Sequence, residues 1–499
     1  MISLPLAHAA EAAPAAAAAS PTYKVADPLP LRGRLSPVLE YQVNAKPYLF
    51  VGETNTILAL DEVTAELVRE LGRDGATDKQ ALDAVIPRFG QDATLAAFKE
   101  LRAERVIRPN ELVVLDRPGR PPEFPVRSVV LNLAQGCNLS CSYCFADEGL
   151  YHDKQYGFMS AEMARQGVDF AFHEGQGHVH ITFFGGEPTL NWPVLVEAVR
   201  HGEERAAREG RTIDFSLTTN ASLLGDERIA FLAEHRIGVS VSLDGPPDVN
   251  DAYRTRKDGK GSSADVVPRI KRLLAGHRTR PIAARVTLAA GNTDVERIFD
   301  YLMALGFHEV GFAPVTTARA DLQLPPADLE QILAGLQDLG ARTHAAARQG
   351  RFLGFSNLIN TWQELHEGKI KSHGCGAGIG LLSVGATGGL YLCHRFTGSG
   401  EHQFGDLADG IDRQARGTFL QAAHVANKGT CQTCWLKHTC AGGCYHEAWE
   451  RLGSALEPNA HYCDFMRQWM EFALITYTDL AENHPRFITE HLAKRMRDR

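Results

Sequence analysis

Cys137, Cys141 and Cys144 form the spacing C-x3-C-x2-C just beyond an apolar run, SVVLNLA. A cubic iron–sulfur cluster takes four thiolates; three grouped at a strand end leave one iron open to a small ligand that can chelate it through an amino group and a carboxylate. Zinc is the other metal three cysteines could serve, although zinc sites normally close with a fourth ligand or keep a water. The remaining seven cysteines lie from Cys375 onward: Cys375 and Cys393 on either side of Gly388, then Cys431, Cys434, Cys440 and Cys444 in the spacing C-x2-C-x5-C-x3-C, then Cys463. The four-cysteine run alone also fits a zinc ribbon, and the interleaved outer three favour two further iron–sulfur sites. Disulfides would suit an exported protein, but metal-ligand spacings fit a reducing cytoplasm better.

Other polar residues sit where apolar runs end. Gly185-Gly186-Glu187-Pro188 follows VHITFF, Thr219-Asn220 ends IDFSLTT, Ser242 and Asp244-Gly245 end GVSVSLD, and Arg254 closes NDAYR. Glycines admit close backbone approach, a carboxylate such as Glu187 accepts from an amino group, and the guanidinium fork of Arg254 matches a carboxylate. Turn chemistry would equally explain Asn220 and Asp244, and an ion pair would explain Arg254. His394-Arg395-Phe396 follows Cys393 directly, with His394 either a proton acceptor or structural, and Tyr151-His152-Asp153 reads as a solvated loop.

The elements that must position these residues follow from periodicity. Between residues 121 and 320, the six runs SVVLNLA, VHITFF, IDFSLTT, GVSVSLD, IAARVTL and HEVGFAPV alternate with amphipathic helices. That pattern predicts an α/β fold, a parallel sheet curled into an incomplete (β/α)6 barrel with chemistry at the C-terminal strand ends. Before it, 36–120 reads as a winged-helix-like unit: two strands, YLFV and TILAL, and three helices, preceded by a disordered Ala-rich leader over 1–35. After it come a helical connector, 321–370, and a Cys- and Gly-rich domain, 371–499. Short strands are expected there at LLSVGA and GLYLCH, with a closing helix near 464–482 and metal rather than core holding the region together.

The chain has 499 residues and a formal charge of −8, with 44% hydrophobic and 22% charged residues and no long basic block. Nothing in this composition announces a nucleic-acid surface, a membrane span or the basic start of a secretory signal, so a cytoplasmic protein is expected.

The first cysteine motif, with Tyr143 before its third cysteine and the strand-end residues in order, resembles the radical S-adenosylmethionine (SAM) superfamily. The resemblance implies a SAM-binding [4Fe–4S] cluster on Cys137, Cys141 and Cys144, and SAM contacts from Tyr143, Gly185, Gly186, Glu187, Asn220, Ser242 and Arg254. The later cysteines resemble the SPASM auxiliary-cluster domain. By that analogy Cys375, Cys393 and Cys444 hold one auxiliary cluster, one ligand short, and Cys431, Cys434, Cys440 and Cys463 hold a second. The N-terminal unit is similar to elements that bind a leader peptide as an added strand. The whole order, with Cys393-His394-Arg395-Phe396, resembles peptide thioether maturases, most of all those of quinohemoprotein amine dehydrogenase. This implies joining of a Cys sulfur to a methylene carbon of Asp or Glu in a peptide or small protein, with electrons from an external flavodoxin or ferredoxin. Formylglycine formation and carbon–carbon cross-linking are the alternatives.

Overall fold

The computed structural model describes residues 29–108, 124–317 and 319–493. Most of the expected leader, 1–28, lies outside the described residues, as does the expected boundary near 120. Residues 29–35 depart from the leader assignment. Leu35 is fully buried and bridges Ile107, and the Arg34 amide donates to Leu71 O at 2.8 Å, because Leu35 fills the space under the first helix.

Three antiparallel strands come first, β1 (Val38–Val43), β2 (Lys46–Val51) and β3 (Thr56–Ala59), followed by α1 (Glu62–Leu71), α2 (Asp78–Phe89) and α3 (Gln91–Ala103). One face of this sheet, through Leu49 and Val51, packs on Leu67, Val68, Leu71, Val85, Phe98 and Leu101. The opposite face, through Tyr41, Val43, Tyr48 and Phe50, belongs to the core of the rest of the molecule. β1 is absent from the sequence expectation. Its turn, Asn44-Ala45, adopts positive φ at both residues without glycine, so the usual hairpin signal is missing.

The central region comprises β4 (Ser128–Gln135), β5 (Leu139–Cys141), β6 (Gly157–Phe158), α4 (Ala161–Glu174), β7 (His178–Gly185), α5 (Trp192–Glu209), β8 (Thr212–Thr219), α6 (Asp226–Glu234) and β9 (Gly238–Ser242). It continues with α7 (Pro247–Tyr253), β10 (Arg254–Arg256), α8 (Ser263–Gly276), β11 (Ile282–Leu288), α9 (Val295–Leu305) and β12 (Glu309–Pro314). Strands β4, β7, β8, β9, β11 and β12 pair in that order, all parallel, and β12 does not return to β4. The expected α/β fold with an open, partial barrel is therefore what the chain builds. Asn357 covers the β12 edge, accepting from Phe312 N at 2.9 Å and donating to Phe312 O at 2.8 Å.

The C-terminal part contains α10 (Pro326–Arg348), α11 (Ser356–Glu367), β13 (Leu381–Val384), β14 (Gly389–Tyr391), β15 (Gln403–Asp406), β16 (Gly410–Ile411), α12 (Arg413–Ala423), α13 (Lys437–Cys440), α14 (Tyr445–Leu452) and α15 (Cys463–Asn483). β13 pairs parallel to β4, so the central sheet runs on into this region. The expectation that metal replaces a core here needs correction: Leu382, Val384, Leu390, Leu392, Phe396, Phe404 and Tyr445 are buried in the same apolar core as the barrel. Inside that seam the Asn132 amide donates to Ser383 Oγ at 2.6 Å and to Thr397 Oγ1 at 3.0 Å.

Helix α15 ties the parts together. Trp362 Nε1 donates to Thr476 at 3.0 Å, Tyr41 OH and Thr478 lie 2.8 Å apart, and Asn44 donates to Asp479 at 3.0 Å. The turn between β2 and β3 reaches the Cys-rich region, where Glu53 faces Lys437 and His438, each at 3.6 Å. Phe50 meets Trp435 edge-on with ring centroids 5.9 Å apart. Among the described residues no helix is long and apolar enough to cross a membrane.

Candidate active site

The loop carrying Cys137, Cys141 and Cys144 leaves the C-terminal end of β4 through Gly136 (φ +153°). It returns as β5, which pairs with β10 so that Cys141 stands opposite Arg254. Glycines hold this loop against the end of β7. A Cβ on Gly186 would lie 2.1 Å from Gly136 O, and one on Gly149 would lie 2.6 Å from Gly186 Cα. The glycine requirement at Gly186 thus comes first from the cysteine loop crossing it, backbone on backbone.

Glu187, expected to face a ligand amine, is almost completely committed inside the protein. Its Oε1 accepts from Thr189 N (3.0 Å), Thr189 Oγ1 (2.5 Å) and Thr219 Oγ1 (2.8 Å), and its Oε2 accepts from Asn220 N (2.7 Å). Burial pushes its carboxyl up, against these four bonds. Only Oε2 keeps acceptor capacity. The Glu187 carboxylate therefore ties the end of β7 to the end of β8, and Asn220 is turned towards the cysteine loop, its amide donating to Asn138 Oδ1 at 3.1 Å and reaching to 3.7 Å from Cys137 Sγ.

Arg254 is buried and ion-paired, not at the surface: its Nε donates to Asp244 Oδ2 at 2.9 Å, and a terminal nitrogen lies 4.0 Å from Cys141 Sγ. Tyr143 OH donates to the same Asp244 oxygen, while Asp244 Oδ1 accepts from Thr287 N at 2.9 Å. Asp244 is fully buried and turned to these protein partners. It fixes Tyr143 and Arg254, whose guanidinium lies 5.4 Å from the Tyr143 ring centroid. A cavity of about 200 Å³ lies over these groups, lined by the three cysteines, Tyr143, Gly185, Gly186, Glu187, Asn220, Ser242 and Arg254. The structure thus brings all ten of these sequence-selected residues to one space. Phe145, Phe184, Thr287, Arg395 and the 313–316 segment also line it and were not singled out for this space. Only the folded sheet brings them to this space: Arg395 belongs to the run after Cys393, and the others carry no recognisable spacing.

All ten cysteines are free thiols. Burial pushes Cys137 up to about 12 and Cys141, even with Arg254 nearby, up to about 11, so neither ionises readily without a metal. As thiolates they need a metal to take up their charge, and the donor set fits a cluster. The C-terminal thiols fall into two neighbourhoods. Cys444 and Cys375 bear electrostatically on Cys393, whose thiol burial raises to about 12. Cys440, Cys463 and Cys434 bear on Cys431, likewise raised chiefly by burial to about 12. Six of these seven cysteines, all but Cys393, line a second cavity of about 490 Å³. The two cavities share Ala313, Pro314, Thr316 and Arg395 as wall.

Residues 131–312 match the Radical SAM superfamily model. The cysteine-type anaerobic sulfatase-maturating enzyme of Clostridium perfringens is 25% identical over 379 residues, 72% of this chain and 99% of that protein. The radical SAM cyclopropyl synthase TigE of Paramaledivibacter caminithermalis is 23% identical over 370 residues, 68% of this chain and 72% of its own. Among solved structures, native anSMEcpe with bound AdoMet and Kp18Cys peptide superimposes with a TM-score of 0.62 at 22% identity, covering 72% of this chain and 100% of that one, a likeness of fold. The chain therefore carries a radical SAM domain with sulfatase-maturating relatives. SAM and a [4Fe–4S] cluster belong with that domain, and the Cys-rich C-terminal region suits auxiliary clusters.

Proposed function

We propose that this protein is a radical SAM peptide maturase that joins a Cys sulfur to a methylene carbon, of Asp or Glu, within a peptide or small protein. The observation that carries this reading is the pair of cavities sharing one wall, the first lined by Cys137, Cys141 and Cys144, the second by six of the seven later cysteines, with Cys393 close by Cys375 and Cys444. A peptide lying along that wall has one target near each.

When bound, SAM and the clusters supply a hydrogen-abstracting radical and a sink for the electron released as a C–S bond forms. The chain's own residues do the positioning. Asp244 holds Arg254 and Tyr143 in place, leaving the terminal donors of Arg254 for a SAM carboxylate. Oε2 of Glu187 and the Asn220 amide face the remaining polar groups, and the Gly185–Gly186 backbone sets the depth of the site. Cys375, Cys393 and Cys444 would hold a cluster lacking a fourth thiolate, and that free position suits a substrate thiolate. Phe145 and Phe184 exclude water from the wall. The outer edges of β1 and β3, unpaired among the described residues, suit an added leader strand, and a small reduced iron–sulfur protein or flavoprotein fits as electron donor.

Formylglycine formation is the second reading, favoured by the sulfatase-maturating relative from Clostridium perfringens. Anaerobic turnover of a Cys-containing peptide with reconstituted enzyme, SAM and reductant separates the two. Thioether formation breaks one C–H and one S–H bond, so the product is lighter by two hydrogens and its thiol resists alkylation. Loss of sulfur from the peptide would instead establish formylglycine.

A further inference from the structure

We infer that Arg395 is the anchor for a carboxylate of the bound peptide, the specificity determinant that places an acidic residue between the two cavities. The inference rests on the peptide-maturase reading and deepens it.

Arg395 lies in the short helical turn after Cys393 and is one of the residues lining both cavities. Its Nη1 is buried and has no hydrogen-bond partner among the described residues. An unsatisfied guanidinium N–H is expensive to bury, and a ligand acceptor removes that cost. The guanidinium carbon sits 4.6 Å from the centroid of the Phe145 ring, next in sequence to Cys144, which fixes the plane of the fork. The backbone is held as well, with Arg395 O 3.0 Å from His152 Nε2.

The local charge favours an incoming anion. Glu447 is the acid that feels Arg395, but it is shared with Arg451, whose Nε lies 3.5 Å away. Glu450 faces His446 instead, at 3.6 Å. Among the described residues, Arg395 is the one charged side chain in the wall that the two cavities share. A carboxylate accepts such a fork bidentately, and an amide of the same shape does not. The side chain of Asp or Glu held there presents its methylene to the cavity of Cys137, Cys141 and Cys144, while the larger cavity remains for the peptide's cysteine. The same chemistry is available in the carboxylate of SAM, and the test separates the two.

Fluorescein-labelled synthetic peptides bearing one Cys and one Asp, and the same set with Asn for Asp, would be titrated against SAM-loaded, iron-replete holoenzyme. The wild type should bind the acidic set roughly ten- to hundredfold more tightly, the range for hydrogen bonds to a charged group. Arg395→Gln should bring both sets to the weaker level with SAM affinity unchanged. Arg395→Lys, which keeps the charge without the fork, should fall between, and carries the test if the neutral variant loads less iron. Equal binding of the two sets by the wild type, or undiminished discrimination in both variants, overturns the proposal. So does a fall in SAM affinity as large as the fall in peptide affinity, which would assign Arg395 to the cofactor. Binding is read without reference to product, so formylglycine in the turnover assay would refute the thioether reading while leaving the role of Arg395 to be decided here.

Discussion

Two carboxylates at the site do different work, and the difference arises from what each strand end brings beside it. Asp244 is fully buried and bonds Tyr143, Arg254 and the Thr287 amide together. Replacing it by Asn would leave Arg254 charged with no anion in a buried place, a change that costs about 3–5 kcal/mol. Asp244→Asn should therefore unfold at markedly lower denaturant concentration and bind SAM poorly, measured by chemical denaturation and equilibrium binding. Glu187 shows where sequence reading stops. Its motif marks it as a site residue, and it does line the cavity, but its partners Thr189, Thr219 and Asn220 consume most of its acceptors. Thr219 and Asn220 lie 32 and 33 positions away, brought to it only by the pairing of β7 with β8. Arg395 was legible as part of a distinctive run after Cys393, yet its place in the wall of both cavities depends on β13 having joined β4.

At the scale of elements, the strands of the barrel were legible because each is an apolar run bounded by polar turns, and IAARVTL matches β11 residue for residue. β1 was not, since Glu40 and Gln42 break its apolar character and its turn lacks glycine. Nor could sequence say what the N-terminal sheet rests on. Its docking includes Glu53, whose carboxyl is held below the usual range chiefly by the His438 bond, against burial and with help from Lys437. A carboxyl depressed in the folded state adds stability that is fully present above its unfolded value, near 4.3, and is lost as pH falls through the lower folded value. Glu53→Gln should weaken the docking by about 0.5–1 kcal/mol at neutral pH, with the difference from wild type fading below roughly pH 4. Hydrogen exchange of β1–β3 amides across that range is the check, and an equal difference at all pH values would exclude the Glu53 pair as its source.

Across the whole molecule, the barrel and the Cys-rich region form one sheet and one apolar core, with the N-terminal sheet packed onto both through α15. Spacing alone made the cysteine sets legible. Their arrangement on two sides of a common wall was not, because β13 and β4 pair across 253 positions. The central claim, that three thiol sets serve one radical enzyme with separable duties, is tested most directly by iron and sulfide content together with SAM cleavage in the wild type and in Cys393→Ala. Three cubic clusters give about twelve irons per chain. The variant should keep about eight and still release 5′-deoxyadenosine while forming no cross-linked product. Zinc in place of iron, or abolition of SAM cleavage by Cys393→Ala, would contradict the account.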